Sequence, residues 1–185
     1  MKLDQAHECV RYSHAFTNTS RSILRDVTAQ TCLHLVNAPQ FISIRGERIW
    51  ACLDGEWKTT DLVPRDQSID PNRVRFLREG KRSERTIVHS TGFPYSTMPE
   101  AASHPLIIAE SFDGRRSVGI ACRDMAWLFN NNDYILRCIH SEPNPIAEIR
   151  PGETALQEGI IMFSEGDHAD LIDTFGSVAP AEWSR

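Results

Sequence analysis

Arg48-Ile49-Trp50-Ala51-Cys52-Leu53, then Asp54-Gly55, then Glu56-Trp57-Lys58-Thr59 is the stretch on which the fold class turns. Two runs of β-favouring residues flank an Asp-Gly pair. That pair tolerates the positive φ angles of a type I′ turn, whose twist matches the twist of the strands on either side. The segment therefore reads as a two-residue β-hairpin, and period-two alternation recurs on both sides of it while helical periodicity is nearly absent.

Upstream, Val10, Tyr12, His14 and Phe16 line one face of a first strand, and Asn18 to Arg21 supplies a polar turn. Val27 to Val36 reads as one long strand, ended by Asn37-Ala38-Pro39 because proline cannot donate to a ladder. Its Thr28, Gln30, Cys32 and His34 face is unusually polar for a buried surface. Downstream, residues 60–72 and 90–105 are polar or proline-bearing connections, with strands over Arg73 to Arg78 and Arg85 to His89 between them. A second hairpin joins Leu106–Phe112 to Ser117–Cys122 through Asp113-Gly114-Arg115-Arg116. Trp127-Leu128-Phe129 runs into an Asn130–Asp133 loop, Tyr134 to His140 is a strand, and Pro151-Gly152 turns the chain into a strand from Thr154 to Phe163. One short helix is expected at the end, capped by Asp167 and closed by Gly176 after Phe175. Nine or ten short strands separated by turn residues give an all-β fold: an antiparallel two-layer β-sandwich, jelly-roll or supersandwich-like, with one C-terminal helix, in a single domain over 1–185.

Composition narrows the function classes. The chain has 185 residues, 41% hydrophobic and 24% charged, as in an ordinary globular domain. A net charge of −5 gives no electrostatic reason to expect nucleic acid. The arginines between Arg73 and Arg85 alternate with acids and read as a solvated face. No apolar run approaches the roughly 20 residues of a membrane-spanning helix, and no signal-peptide pattern follows Met1, so a cytoplasmic setting is expected. Five cysteines at scattered spacing read as reduced, buried thiols.

Two constellations carry chemistry. Cys32-Leu33-His34 and Cys138-Ile139-His140 share a form, and residues two apart on a strand point to one face. If the two strands met, Cys32, His34, Cys138 and His140 would offer a Cys₂His₂ set of the kind zinc accepts. The alternative for these four is structural cysteines with separately satisfied histidines and no cofactor. The second constellation takes His34, His140 and Glu142 as candidate acid–base groups and Gln30, Arg48, Trp50 and Tyr134 as ligand-binding groups. Planar hydrogen-bonding side chains beside aromatic rings suit a carbohydrate, and a histidine paired with a carboxylate suits proton transfer near neutral pH. Against it, Trp50, Trp57 and Trp127 are ordinary core candidates, and Arg48 beside Glu47 reads as a rim ion pair.

The stretch Phe16-Thr17-Asn18-Thr19-Ser20, then Leu24, Val27 and Cys32-Leu33-His34, with Pro39 and Phe41 beyond, resembles an early strand pair of the galactose-mutarotase-like β-sandwich proteins. The resemblance spans about 30 residues and departs from the family in lacking its contiguous His-Pro-Tyr-Phe run. It implies a β-sandwich with carbohydrate-directed, epimerase-like acid–base chemistry and matches His34 to the family's histidine. It assigns no base, and Glu142 is chosen from the residues alone. Two other readings stand beside it: a non-catalytic β-sandwich module that docks another chain, and a metal-binding jelly roll.

Overall fold

The computed structural model describes residues 2–4, 8–61, 73–79, 96–132, 137–180 and 183. In chain order these form β1 (Lys2–Asp4), β2 (Cys9–Thr17), β3 (Leu24–Val27), β4 (Leu33–His34), β5 (Ile49–Leu53), β6 (Glu56–Thr59) and β7 (Arg73–Leu77). There follow β8 (Ser96–Thr97), β9 (Ala102–Glu110), β10 (Ser117–Cys122), β11 (Met125–Asn131), β12 (Cys138–Pro143), β13 (Ile146–Ile149), β14 (Thr154–Ser164) and α1 (His168–Val178). A seven-stranded sheet runs β1-β2-β14-β10-β9-β5-β6, a five-stranded sheet runs β4-β12-β11-β7-β8, and β13 pairs with β3. Neighbouring strands are antiparallel except β7 and β8. The fold class is thus all-β, a two-layer antiparallel sandwich with one C-terminal helix.

Alternation sorts the side chains into layers. Ile49, Ala51 and Leu53 of β5, Ile107 and Ala109 of β9, and Val118 and Ile120 of β10 meet Val74, Phe76, Met125, Leu128 and Ile139 of the smaller sheet. At roughly 1.5–3 kcal/mol per large side chain removed from water, this interface is the main stabiliser. The opposite face of the larger sheet presents Leu106, Ile108, Ala121, Ile160 and Met162 to Leu171, Phe175 and Val178 of the helix. Gly119 permits that contact: a Cβ there would lie 2.8 Å from both Leu106 and Leu171 side chains. The helix begins as its sequence requires, with Asp167 accepting from the Ala169 and Asp170 amides and Asp170 returning the bond.

The Asp-Gly hairpin forms as read, with φ of 50° at Asp54 and 84° at Gly55. Residues 27–36 are not one strand: β3 ends at Val27, and the backbone between β3 and β4 is held by side chains instead of a ladder. Ala29 N–H donates to Gln157 Oε1 at 3.0 Å, and Thr31 Oγ1 lies 2.8 Å from His14 Nε2. Pro105 sits inside β9, where the pairing with β5 breaks register between Ala51 and Leu53 and asks no amide of it. Asn130 and Asn131 belong to β11, because Asn130 donates to the Thr60 hydroxyl at 2.7 Å and the strand continues past Phe129. Gly176 lies within the helix, which ends at Ala179 ahead of Pro180. The expected strand over Arg85 to His89 lies outside the described residues. No helix among the described residues is long and apolar enough to cross a membrane.

Candidate functional site

The outer face of the five-stranded sheet is where chemistry-bearing side chains collect. Ile139 and Leu128 point into the core, so Cys138, His140 and Glu142 of β12 and Trp127, Phe129 and Asn131 of β11 point the other way. Register aligns them in rows: Asn131 opposite Cys138, Phe129 opposite His140, Trp127 opposite Glu142. On β7 the same rows continue as Arg73, Arg75 and Leu77. At the other edge His34 of β4 is opposite Cys138. The same antiparallel register carries Cys32 level with His140.

This face is closed to solvent in its centre and open at its β4 edge. His140 and Glu142 are 4% and 3% exposed, and Arg73, Arg75, Trp127 and Phe129 are buried as well. Cys32 and His34 are exposed. Among the described residues, Cys32, Cys138 and His140 bring one ligand atom each to within 4.8 Å of one another. His140 Nε2 is 2.9 Å from Cys138 Sγ, and its Nδ1 is 3.4 Å from Glu142 Oε1. Arg75 lies 4.5 Å above the Trp127 ring and donates to Thr97 Oγ1 at 2.7 and 3.2 Å. The His140 ring tilts against Phe129 at 5.1 Å.

The electrostatics follow from that packing. A hydrogen bond from the Cys138 thiol, helped by the His140 ring, holds Cys32 well below the usual thiol range against the cost of its own partial burial. Cys138 is pushed up in turn, by that same bond to Cys32 and by burial. Burial alone would lower His140, but the neighbouring Cys32 thiol and Glu142 carboxylate outweigh it and raise the imidazole. The set is a carboxylate, an imidazole and two thiols in series, suited to holding a soft cation or a proton between its members.

The other sequence candidates are placed as follows. His34 shares the face but lies outside the three-ligand group. Gln30 is exposed in the irregular segment before β4. Arg48 and Trp50 do not join the cluster, because β5 belongs to the larger sheet. Trp50 points under the helix and stacks on His168 at 3.6 Å, while Arg48 bonds Glu47 and the Ile42 carbonyl. Tyr134 lies outside the described residues. Arg73 and Arg75, read as solvated, are buried on the face. Their signal was the strict Arg-Val-Arg-Phe alternation, which puts both arginines opposite two core residues.

No family model and no curated protein matches the chain. Among solved structures, the α-galactosidase from Lactobacillus brevis is 13% identical, with a TM-score of 0.51 over 93% of this chain and 21% of that one. A putative aldose 1-epimerase from Klebsiella pneumoniae subsp. pneumoniae is 12% identical, with a TM-score of 0.43 over 95% of this chain and 47% of that one. The chain therefore spans about a fifth of the galactosidase and about half of the epimerase. The galactosidase likeness is one of fold, and the weak, partial resemblance to galactose-mutarotase-like β-sandwich proteins stands at that level.

Proposed function

We propose that the chain binds a carbohydrate at the β4 edge of the smaller sheet's outer face, with His140 and Glu142 as the pair able to move a proton there. The observation that carries this reading is the row arrangement: a histidine and a carboxylate share one face with arginine, asparagine and two aromatic rings. Sugar hydroxyls need planar donors and acceptors, and sugar C–H faces need rings. His34, exposed at the edge, and Gln30, exposed in the segment that leads to it, are the polar groups proposed to meet an entering ligand first. The fold shared with a region of an α-galactosidase is compatible with this role and adds no residue to it.

A thermal-shift panel of monosaccharides and simple glycosides tests the reading. A ligand present at a hundred times its dissociation constant stabilises by about 2.7 kcal/mol, which raises the midpoint by several degrees in a chain of this size. Glu142→Gln is expected to shrink that rise, read against the variant's own unliganded midpoint, because changing one member of a buried pair also moves stability. A flat response across the panel contradicts the proposal. It then leaves the docking-module reading, for which Phe112 and Ile44, 72% and 67% exposed, are the apolar candidates.

A further inference from the structure

We propose that Cys32, Cys138 and His140 form a site for one thiophilic divalent metal of the zinc class, three protein ligands with a fourth position open toward the β4 edge. This inference goes beyond the carbohydrate reading: it takes His140 as a metal ligand with Glu142 as its outer partner, and its probe is the metal alone, so its failure is read separately from that of the sugar panel.

Three observations carry it. The three ligand atoms already lie within 4.8 Å of one another, and bond lengths of about 2.0 Å to nitrogen and 2.3 Å to sulfur ask for ligand separations of about 3.5–4 Å. Small side-chain adjustments reach that geometry. The backbone fixes the set beforehand: Cys138 and His140 are two apart on β12, and the β4–β12 register brings Cys32 alongside them. Then there is the outer partner. His140 Nδ1 and Glu142 Oε1 are buried without a hydrogen-bond partner and face each other at 3.4 Å. A metal on Nε2 fixes the Nδ1–H tautomer and aims it at the carboxylate, the arrangement that orients metal-bound histidines.

The donor set also selects the ion. Two sulfurs and an imidazole favour zinc and its soft neighbours, whereas calcium and magnesium require oxygen. Exposed Cys32 gives the ion an entry route that buried Cys138 and His140 do not. Three ligands with an open fourth position is the pattern of sites that bind a water or a substrate atom, in contrast to closed four-ligand structural sites.

Titration of the thiol-reduced full chain with cobalt, followed by displacement with zinc against a chromophoric chelator, tests the site. The expected result is one equivalent bound, with thiolate-to-cobalt charge-transfer absorption in the near ultraviolet and visible bands of a four-coordinate ion. Cys32→Ser should lose part of the charge-transfer intensity and at least tenfold in affinity. Glu142→Gln should keep the spectrum and bind roughly 10–100-fold more weakly, and His34→Ala should bind as the parent does. Because Cys32 is exposed, its serine variant keeps the fold and decides the matter even where His140→Ala does not fold. Absence of cobalt absorption in the reduced chain, unchanged binding by Cys32→Ser, or a Cys32–Cys138 disulfide that persists under reductant each overturns the proposal. Loss of binding in His34→Ala overturns the open position.

Discussion

The two outer faces of the sandwich both exclude water at their centres, and they do so by opposite means. On the larger sheet, Leu106, Ile108, Ala121, Ile160 and Met162 pack under Leu171, Phe175 and Val178. On the smaller sheet, the corresponding positions hold Arg73, Arg75, Asn131, Cys138, His140 and Glu142 around Trp127 and Phe129. Apolar burial stabilises directly, while each buried polar group must find a partner or cost about 1–3 kcal/mol. The His140–Glu142 pair, at 3.4 Å, is only half satisfied. Of the two outer faces, the helix-covered one therefore adds stability to the core between the sheets. The polar face carries a cost for which a ligand is the natural compensation.

Breaking the apolar face should have the largest effect on stability. Phe175→Ala removes a fully buried ring and is expected to cost about 3–5 kcal/mol in urea denaturation, with metal and sugar responses retained by the folded fraction. A loss under about 1 kcal/mol would mean that the helix is dispensable.

The same face contains a pH-dependent element. His104 lies against Phe175 and Trp57, with ring centroids at 4.9 and 5.3 Å, and burial holds its imidazole at about 4 against an ordinary value of 6.5. The unfolded chain takes the proton first. His104 thus contributes its full stability above pH 6.5 and loses it as pH falls toward 4, by roughly 3 kcal/mol in all. Urea midpoints across that window should fall with pH in the parent and flatten in His104→Phe; parallel slopes would place the pH dependence elsewhere.

Asp167→Ala, which removes the capping box at the start of the helix, should cost about 1 kcal/mol. Cys32→Ser on the polar face should change stability by less than about 0.5 kcal/mol, being exposed. Circular-dichroism melts of the two variants give the contrast: the helix cap matters to the fold, and the thiol matters to the ligand.

What was legible in the sequence was local. Asp54-Gly55 and Asp167-x-x-Asp170 announce their turn and cap because the chemistry that forms them lies within four residues. The alternation of Val10, Tyr12, His14 and Phe16 likewise predicts one face of β2, and Tyr12 pairs with Gly159 on β14, where any side chain would strike its ring. Sheet membership was not legible, because it is settled by pairing between distant segments. Trp50 and Arg48 have the right chemistry for a polar concavity, but β5 pairs with β9 and places them on the other sheet. The repeated Cys-x-His form invites a symmetric four-ligand set. The antiparallel register instead sets His34 opposite Cys138, leaving it outside the three-ligand group. Arg73 and Arg75 resemble solvent-facing arginines until β11 pairs beside them with Trp127 in place to receive one.

Amide chemical-shift mapping of the isotopically labelled, reduced chain, titrated with zinc and in a second series with galactose, asks most directly whether the polar face is the functional one. Perturbations are expected at Cys32–His34, Trp127–Asn131 and Cys138–Glu142 while α1 and the β9 residues beneath it stay unmoved. Perturbations centred on α1, or none with either ligand, would contradict that role for the polar face.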